Sequence, residues 1–169
     1  NDLANGLGNL AQRTLSFIFK NCDAKIPAPS ELTADDKELL EMAQVKMLEN
    51  VRRELDVQKF HRALEAIWAV VDKANLYIDV QAPWALKKTD TVRMGTVLYV
   101  LSETIRCLAL AVQPFMPVST AKMLDQLMIP ETDRSFLALS ANSSLTAGTT
   151  IPQPQGIFPR LVEEDQKVA

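Results

Sequence analysis

The chain has 169 residues, a length that suits one domain with a hydrophobic core of its own. With only five glycines, few aromatics and many Leu, Ala, Glu, Lys and Met residues, the composition argues against a β-sandwich or barrel and favours helices. The formal net charge of -3 excludes a globally basic surface that would hold nucleic acid through its phosphates, so any RNA contact has to be local and chosen by shape or by bases.

The first predicted element is a helix over 2–20, with Leu3, Leu7, Leu10, Leu15 and Ile18 as an apolar stripe and Asp2, Asn5, Asn9, Arg13, Ser16 and Lys20 along another face. Gly6 and Gly8 weaken it, which points to close approach of a neighbouring helix or ligand. Residues 21–32, with Pro27 and Pro29, read as a loop. Thr33 is then a candidate N-cap for a helix running to about Leu55, with Asp35 and Asp36 as solvated carboxylates in its first turn. Asp56 is the expected cap of the next helix, whose buried face is marked by Phe60, Leu64, Ile67, Val71, Ala74 and Ile78. Trp68, in the middle of that helix, reads as core. The helix has to stop near Ala82, because Pro83 disfavours helix at the residue before it. Residues 83–88 read as a tight connection, and Asp90 as the cap of a long helix over about 91–112 with Val97, Leu101, Ile105, Leu108 and Val112 inside. Pro114 and Pro117 break that helix, a shorter one follows over about 118–128, and Pro130 ends it. The segment 140–156, rich in Ser, Thr, Gly and Pro, reads as extended loop, and Ile157, Phe158, Pro159 and Leu161 as a docked tail ahead of a frayed end at 163–169. The expected fold is an all-α, up-and-down bundle of four to five helices over 1–130, with an extended C-terminal arm over 131–169 packing on it.

Several classes of chemistry lack their residues. Cys22 and Cys107 are far apart and outside any CxxC pair, which argues against a zinc or redox site and suits a reducing, cytoplasmic compartment. Nucleotide-binding glycine loops are absent, and the lone His61 in a helical pattern reads as a surface or packing residue. No catalytic residues, metal ligands or cofactors are therefore expected. There is no run of 18 apolar residues to suggest a membrane partner. The sequence opens inside a helical pattern without an initiator Met, which reads as a piece of a longer chain.

Three stretches stand apart from ordinary bundle patterning. Asn5, Asn9 and Arg13 share the i, i+4, i+8 spacing of one helix face, and amides with a guanidinium can read base edges. Ala82-Pro83-Trp84 places an indole just past a helix end, where its face is a platform for an unstacked base. Lys87 and Lys88 follow, two adjacent cations able to meet a phosphate. Taken singly, each has a commoner meaning: a solvated polar face, a packed Trp, a solvated helix start. Together they supply a stacking ring, base-edge groups and a local cation, the requirements for reading single-stranded RNA.

These stretches resemble the anticodon-binding domain of methionyl-tRNA synthetases. Asn1 to Arg13 is similar to the opening helix of that family, and Ala74-Asn75-Leu76-Tyr77-Ile78-Asp79-Val80-Gln81-Ala82-Pro83-Trp84-Ala85-Leu86 to its second signature. Gln113-Pro114-Phe115-Met116-Pro117 resembles its proline break, and Gly156-Ile157-Phe158-Pro159-Arg160 its closing element, with Ile157 in place of Leu. The resemblance implies a domain that binds the CAU anticodon of methionine tRNA. It also implies a parent class I synthetase that joins methionine to tRNA with ATP and Mg through a catalytic domain in the same chain, whose HIGH-like and KMSKS-like motifs are not in this sequence. Carried over residue by residue, it assigns anticodon contacts to Asn9, Arg13 and Trp84, with Trp84 stacking on a splayed base, most naturally the cytosine. Asp79 matches an acidic position near the site, and Asp72 lies about two turns earlier on that face; both would tune the site or exclude the wrong base, while Asn5 and Pro83 match the pattern and can equally serve packing. The alternative from another class is a helical protein-interaction module that uses the same face and Trp84 to hold a partner protein. A metal-binding bundle needs Glu-x-x-His pairs that one histidine cannot supply, and the anticodon domain of another synthetase would differ in its anticodon preference.

Overall fold

The computed structural model describes residues 2–139 and 143–158. Its helices are α1 (Asn9–Asn21), α2 (Ala34–Glu41), α3 (Met47–Asp56), α4 (Phe60–Gln81), α5 (Pro83–Thr89), α6 (Thr91–Val112) and α7 (Pro117–Gln126). Wider π-type turns lead into α1 at Asp2–Gly8 and join α2 to α3 at Met42–Lys46. The expected helix over 2–20 is therefore helical throughout but wound more loosely in its first turns, and 33–55 is one continuous rod. The fold is all-α, as expected.

Local chemistry sets several boundaries. Thr33 closes a capping box with Asp36: its hydroxyl accepts from the Asp36 amide, and the Asp36 carboxylate accepts from the Thr33 amide. The Asp90 side chain accepts from the Arg93 amide and starts α6 as expected. Asp56, by contrast, caps nothing. It is the last residue of α3, and the chain turns through Val57 and Gln58 before Lys59 opens α4. Gln58 takes a left-handed conformation (φ +59°). Its amide bonds to the Leu55 carbonyl at 2.9 Å and that of Lys59 to Glu54 at 2.8 Å, which closes the C-terminus of α3. Phe60, expected inside, is 56% exposed as the first residue of α4. The stretch 83–88 is not a plain connection but the short helix α5; Pro83 lacks an N–H and suits a first helical turn, where that donor would go unused.

α6 is the axis of the bundle. It packs against α1, α2, α4, α5 and α7, and nearly every residue from Met94 to Val112 is buried. It is long and apolar enough by composition to cross a membrane, yet its apolar length is covered by the other helices. It also carries an internal ion pair, Glu103 with Arg106, both about 1% exposed. That pair is satisfied on all sides: Arg106 donates to the Ala138 carbonyl at 2.7 Å, and Glu103 accepts from Gln44 at 2.8 Å and from the Leu145 amide at 3.0 Å. The irregular segment after α7 is thereby tied to the core. Further along, the Ile26 amide bonds to the Thr149 carbonyl (2.9 Å) and the Ile151 amide to the Ala24 carbonyl (2.8 Å), while Gln126 and Gln155 exchange two hydrogen bonds. Phe158 ends the described path against Gly8, where a Cβ would lie 2.9 Å from its ring. Gly8 is thus required by a close approach, the role its position in a helix suggests. Pro159, Arg160, Leu161 and the polar end at 163–169 lie outside the described residues.

Candidate nucleic-acid interface

The site is built where α4 ends. Ala82 adopts a left-handed conformation (φ +43°, ψ +63°) and is at once the last cap of α4 and the first of α5. For an L-residue this geometry costs roughly 1–2 kcal/mol, and three backbone bonds hold it: Ala82 to Ile78, and Ala85 and Leu86 back to the Ala82 carbonyl. The turn that results buries Pro83 and leaves Trp84 44% exposed. The two prolyl-indole neighbours thus divide their labour, one anchoring the turn and the other facing outward.

Arg13, from α1, covers one face of that indole, its guanidinium carbon 5.4 Å from the ring centroid, within cation–π range. Its Nη2 also donates to Asp79 at 2.8 Å, across the gap between α1 and α4. Arg13 and Trp84, with Phe17, Ile78, Pro83 and Leu98, line an open cleft of about 270 Å³. Phe17 and Leu98 form part of its apolar lining. Neither stands out in the sequence, although Phe17 lies four residues from Arg13 and hence on the same helix face. Lys87 and Lys88 are exposed in the last turn of α5, where the helix C-terminus favours cations. Asp72 is exposed two turns before Asp79 on α4.

The structure separates the expected Asn/Arg face into two parts. Asn5 and Asn9 are exposed, but they line a different cleft of about 230 Å³ with Gly8, Gln12 and the arm residues Ile157 and Phe158. The loose turns at 2–8 and the docked arm give the asparagines neighbours that helical spacing alone does not reveal. Trp68 packs against the core as expected, but not wholly inside it. It is half-buried and, with His61, Leu64, Phe115 and Met116, lines an apolar cleft of about 510 Å³. Among the described residues no group of His, Cys, Asp or Glu is arranged to hold a metal.

Behind the Trp84 turn lies a polar cluster that sequence reading missed. Asp36, expected as a solvated first-turn carboxylate, is fully buried. It accepts from both terminal nitrogens of Arg93, with Nη2 at 2.8 Å from Oδ1, and from the Tyr77 hydroxyl. Arg93 Nη2 also donates to Gln81 Oε1 at 2.7 Å. Burial alone would raise the Asp36 pKa, but the hydrogen bonds from Arg93, Tyr77 and the Thr33 amide outweigh it and hold the carboxyl at about 2. Burial and the adjacent carboxylate push the Tyr77 phenol up, so it stays a donor. The one sequence signal for this cluster was the Thr33-to-Asp36 capping spacing, which places a carboxylate but does not say that it is buried.

Fold and surface together define an all-helical domain that presents a half-exposed, Arg-capped indole at the junction of three helices. The chain belongs to the family described as the anticodon binding domain of methionyl tRNA ligase, whose profile matches residues 26–168. It is 51% identical over 166 residues to a methionine–tRNA ligase of Brucella suis, covering 98% of this chain and 32% of that protein. It is also 48% identical over 163 residues to the corresponding ligase of Mycobacterium tuberculosis, covering 94% and 31%. The solved structure of the free-state M. tuberculosis methionyl-tRNA synthetase superposes with a TM-score of 0.92 at 46% identity, over 97% of this chain and 33% of that one. The same enzyme bound to methionyl-adenylate gives 0.90 at 47%, over 94% and 32%. The chain thus spans about a third of the length of the relatives it matches.

Proposed function

We propose that this domain reads the CAU anticodon of methionine tRNA for a parent enzyme that joins methionine to that tRNA. The observation that carries the reading is the cleft between α1, α4 and α5, where Arg13 caps Trp84 5.4 Å from the ring centroid and is held by Asp79. An unstacked base, the cytosine in this reading, stacks on the indole face opposite Arg13. A guanidinium has five donors, so Arg13 can keep its bond to Asp79 and still offer others to a base edge or a phosphate. Asn9 contributes an amide from the neighbouring cleft, and Asn5 lies beside it; Lys87 and Lys88 meet backbone phosphates. Asp79 and Asp72 raise the barrier for bases that would present an acceptor to them. Pro83 acts through the turn it anchors. The parent chain would supply the catalytic domain, ATP and Mg, and act in the cytoplasm.

The test is a titration with an anticodon stem-loop carrying CAU, beside one whose first anticodon base is changed. Wild type is expected to prefer CAU. Trp84→Ala is expected to lose roughly 1–3 kcal/mol, about 5- to 150-fold, on the CAU hairpin. Equal binding of both hairpins that Trp84→Ala leaves intact would overturn the reading in favour of a protein-interaction role for this face.

A further inference from the structure

We infer that Gln81, linked through Arg93 to buried Asp36, is the positioning residue that sets the presentation of Trp84. This inference rests on the proposed reading of Trp84 as the stacking platform. The connection is continuous. The Thr33 amide fixes the Asp36 carboxylate at 2.9 Å, Arg93 bridges from Asp36 Oδ1 (2.8 Å) to Gln81 Oε1 (2.7 Å), and Gln81 also donates to Asp35 at 3.4 Å. Gln81 is the last residue of α4, next to left-handed Ala82 and three before Trp84.

Three helix ends meet at this chain of bonds. The Asp36 carboxylate sits in the first turn of α2, where the partial positive charge of the helix N-terminus favours it. Arg93 stands in the first turn of α6, where a cation is unfavourable, and is held there by Asp36. Its guanidinium reaches the C-terminus of α4, where a cation is favoured. The Asp36–Tyr77–Arg93 part is buried or nearly so and belongs to the folded core. Gln81 is different. It is half-buried at the rim, and what its hydrogen bond constrains is the last turn of α4 and the strained residue after it. An unfavourable backbone conformation persists only where its surroundings over-determine it. Without the Gln81 link only the three backbone bonds at Ala82 restrain the end of α4, and Trp84 then samples orientations that a loop base cannot use.

Gln81→Leu removes the acceptor without stranding a buried charge, whereas removing Arg93 would leave Asp36 unpaired inside the core. Gln81→Glu keeps the acceptor for Arg93 and gives up only the long, exposed bond to Asp35. The readouts are affinity for the CAU hairpin, the thermal midpoint, and ¹⁹F resonances of the full chain labelled with fluorotryptophan, assigned through Trp68→Phe. Gln81→Leu is expected to weaken CAU binding by about 10-fold, the scale of one charge-assisted hydrogen bond. It should shift or broaden the Trp84 resonance, leave Trp68 in place and barely change the melting temperature. Gln81→Glu should restore both affinity and resonance. In a Trp84→Ala background Gln81→Leu should have no further effect, as expected of a residue that acts through Trp84. An unperturbed Trp84 resonance, or an equal loss in the Trp84→Ala background, would overturn the inference. If Trp84→Ala itself leaves hairpin binding unchanged, the anticodon reading fails, and the resonance alone then decides whether Gln81 sets the indole.

Discussion

Arg13 is held from two sides, by the Trp84 ring and by Asp79. The Asp79 pair is partly solvated, with the two side chains 35% and 60% exposed, so its contribution to stability is under about 1 kcal/mol. Its consequence lies in what Arg13 is allowed to do. In the proposed reading, Asp79 takes one donor and adds a negative charge beside the cleft, so that only a base that offsets that charge binds well. Asp79→Asn is therefore expected to raise affinity for both hairpins by a few-fold and to narrow the preference for CAU, with little change in the melting temperature. Parallel titrations of the two hairpins check this; an unchanged ratio would mean that Asp79 only props Arg13 in place. At this scale the sequence disclosed residue types but not neighbours. Arg13, Trp84 and Asp79 come together as the motifs implied, because a regular helix and a Pro-fixed turn present them. Asn5 and Asn9 do not share their cleft with Arg13, since loose turns and a distant arm decide what surrounds them.

The helices were legible where a side chain starts them and obscure where the backbone ends them. Thr33 and Asp90 carry their capping role in their identity. The C-termini do not: Gln58, Ala82 and Met128 all close helices with positive φ. The Met128 and Ile129 amides return to Asp125 and Leu124 as the Gln58 and Lys59 amides return to Leu55 and Glu54. Glycine is the usual signal for such an ending. Here Gly6, Gly8 and Gly95 lie instead within helical turns and pack against other parts of the chain, so the reading lost its punctuation. That is why the sequence presents Asp56 as a cap and 83–88 as a tight connection. Asp36 illustrates the same limit, since a capping carboxylate also became the buried partner of Arg93. Its pKa falls from an ordinary 3.8 to about 2 in the folded chain. A depressed folded pKa means stability that is present above pH 4 and lost as the pH falls from about 4 through about 2, an amount near 2 kcal/mol. Urea unfolding between pH 2 and 6 is expected to show the advantage of wild type over Asp36→Asn shrinking by about that much on acidification. A constant difference would show that Asp36 titrates alike in both states.

At the scale of the whole molecule, the net charge of -3 and an RNA-reading site are compatible only if the cations are few and local. Around Trp84 they are Arg13, Lys87 and Lys88, set on two helices whose cores are packed on α6. Each phosphate neutralised in a single-stranded loop contributes a slope of about -0.7 to log K against log salt, so three give a slope near -2 and roughly a 10- to 20-fold loss between 50 and 200 mM salt. A basic groove with twice or three times as many contacts would fall far more steeply. Replacing both lysines, Lys87→Ala with Lys88→Ala, is expected to flatten the slope by about 1.4 while leaving the ratio between CAU and altered hairpins unchanged, because phosphates carry no sequence information. Equilibrium binding of both hairpins at four salt concentrations measures slope and ratio together. A slope steeper than about -4 would mean that the acidic domain gathers far more phosphate contacts than these three cations provide, and a ratio that moved with the lysines would place them at base edges instead of the backbone.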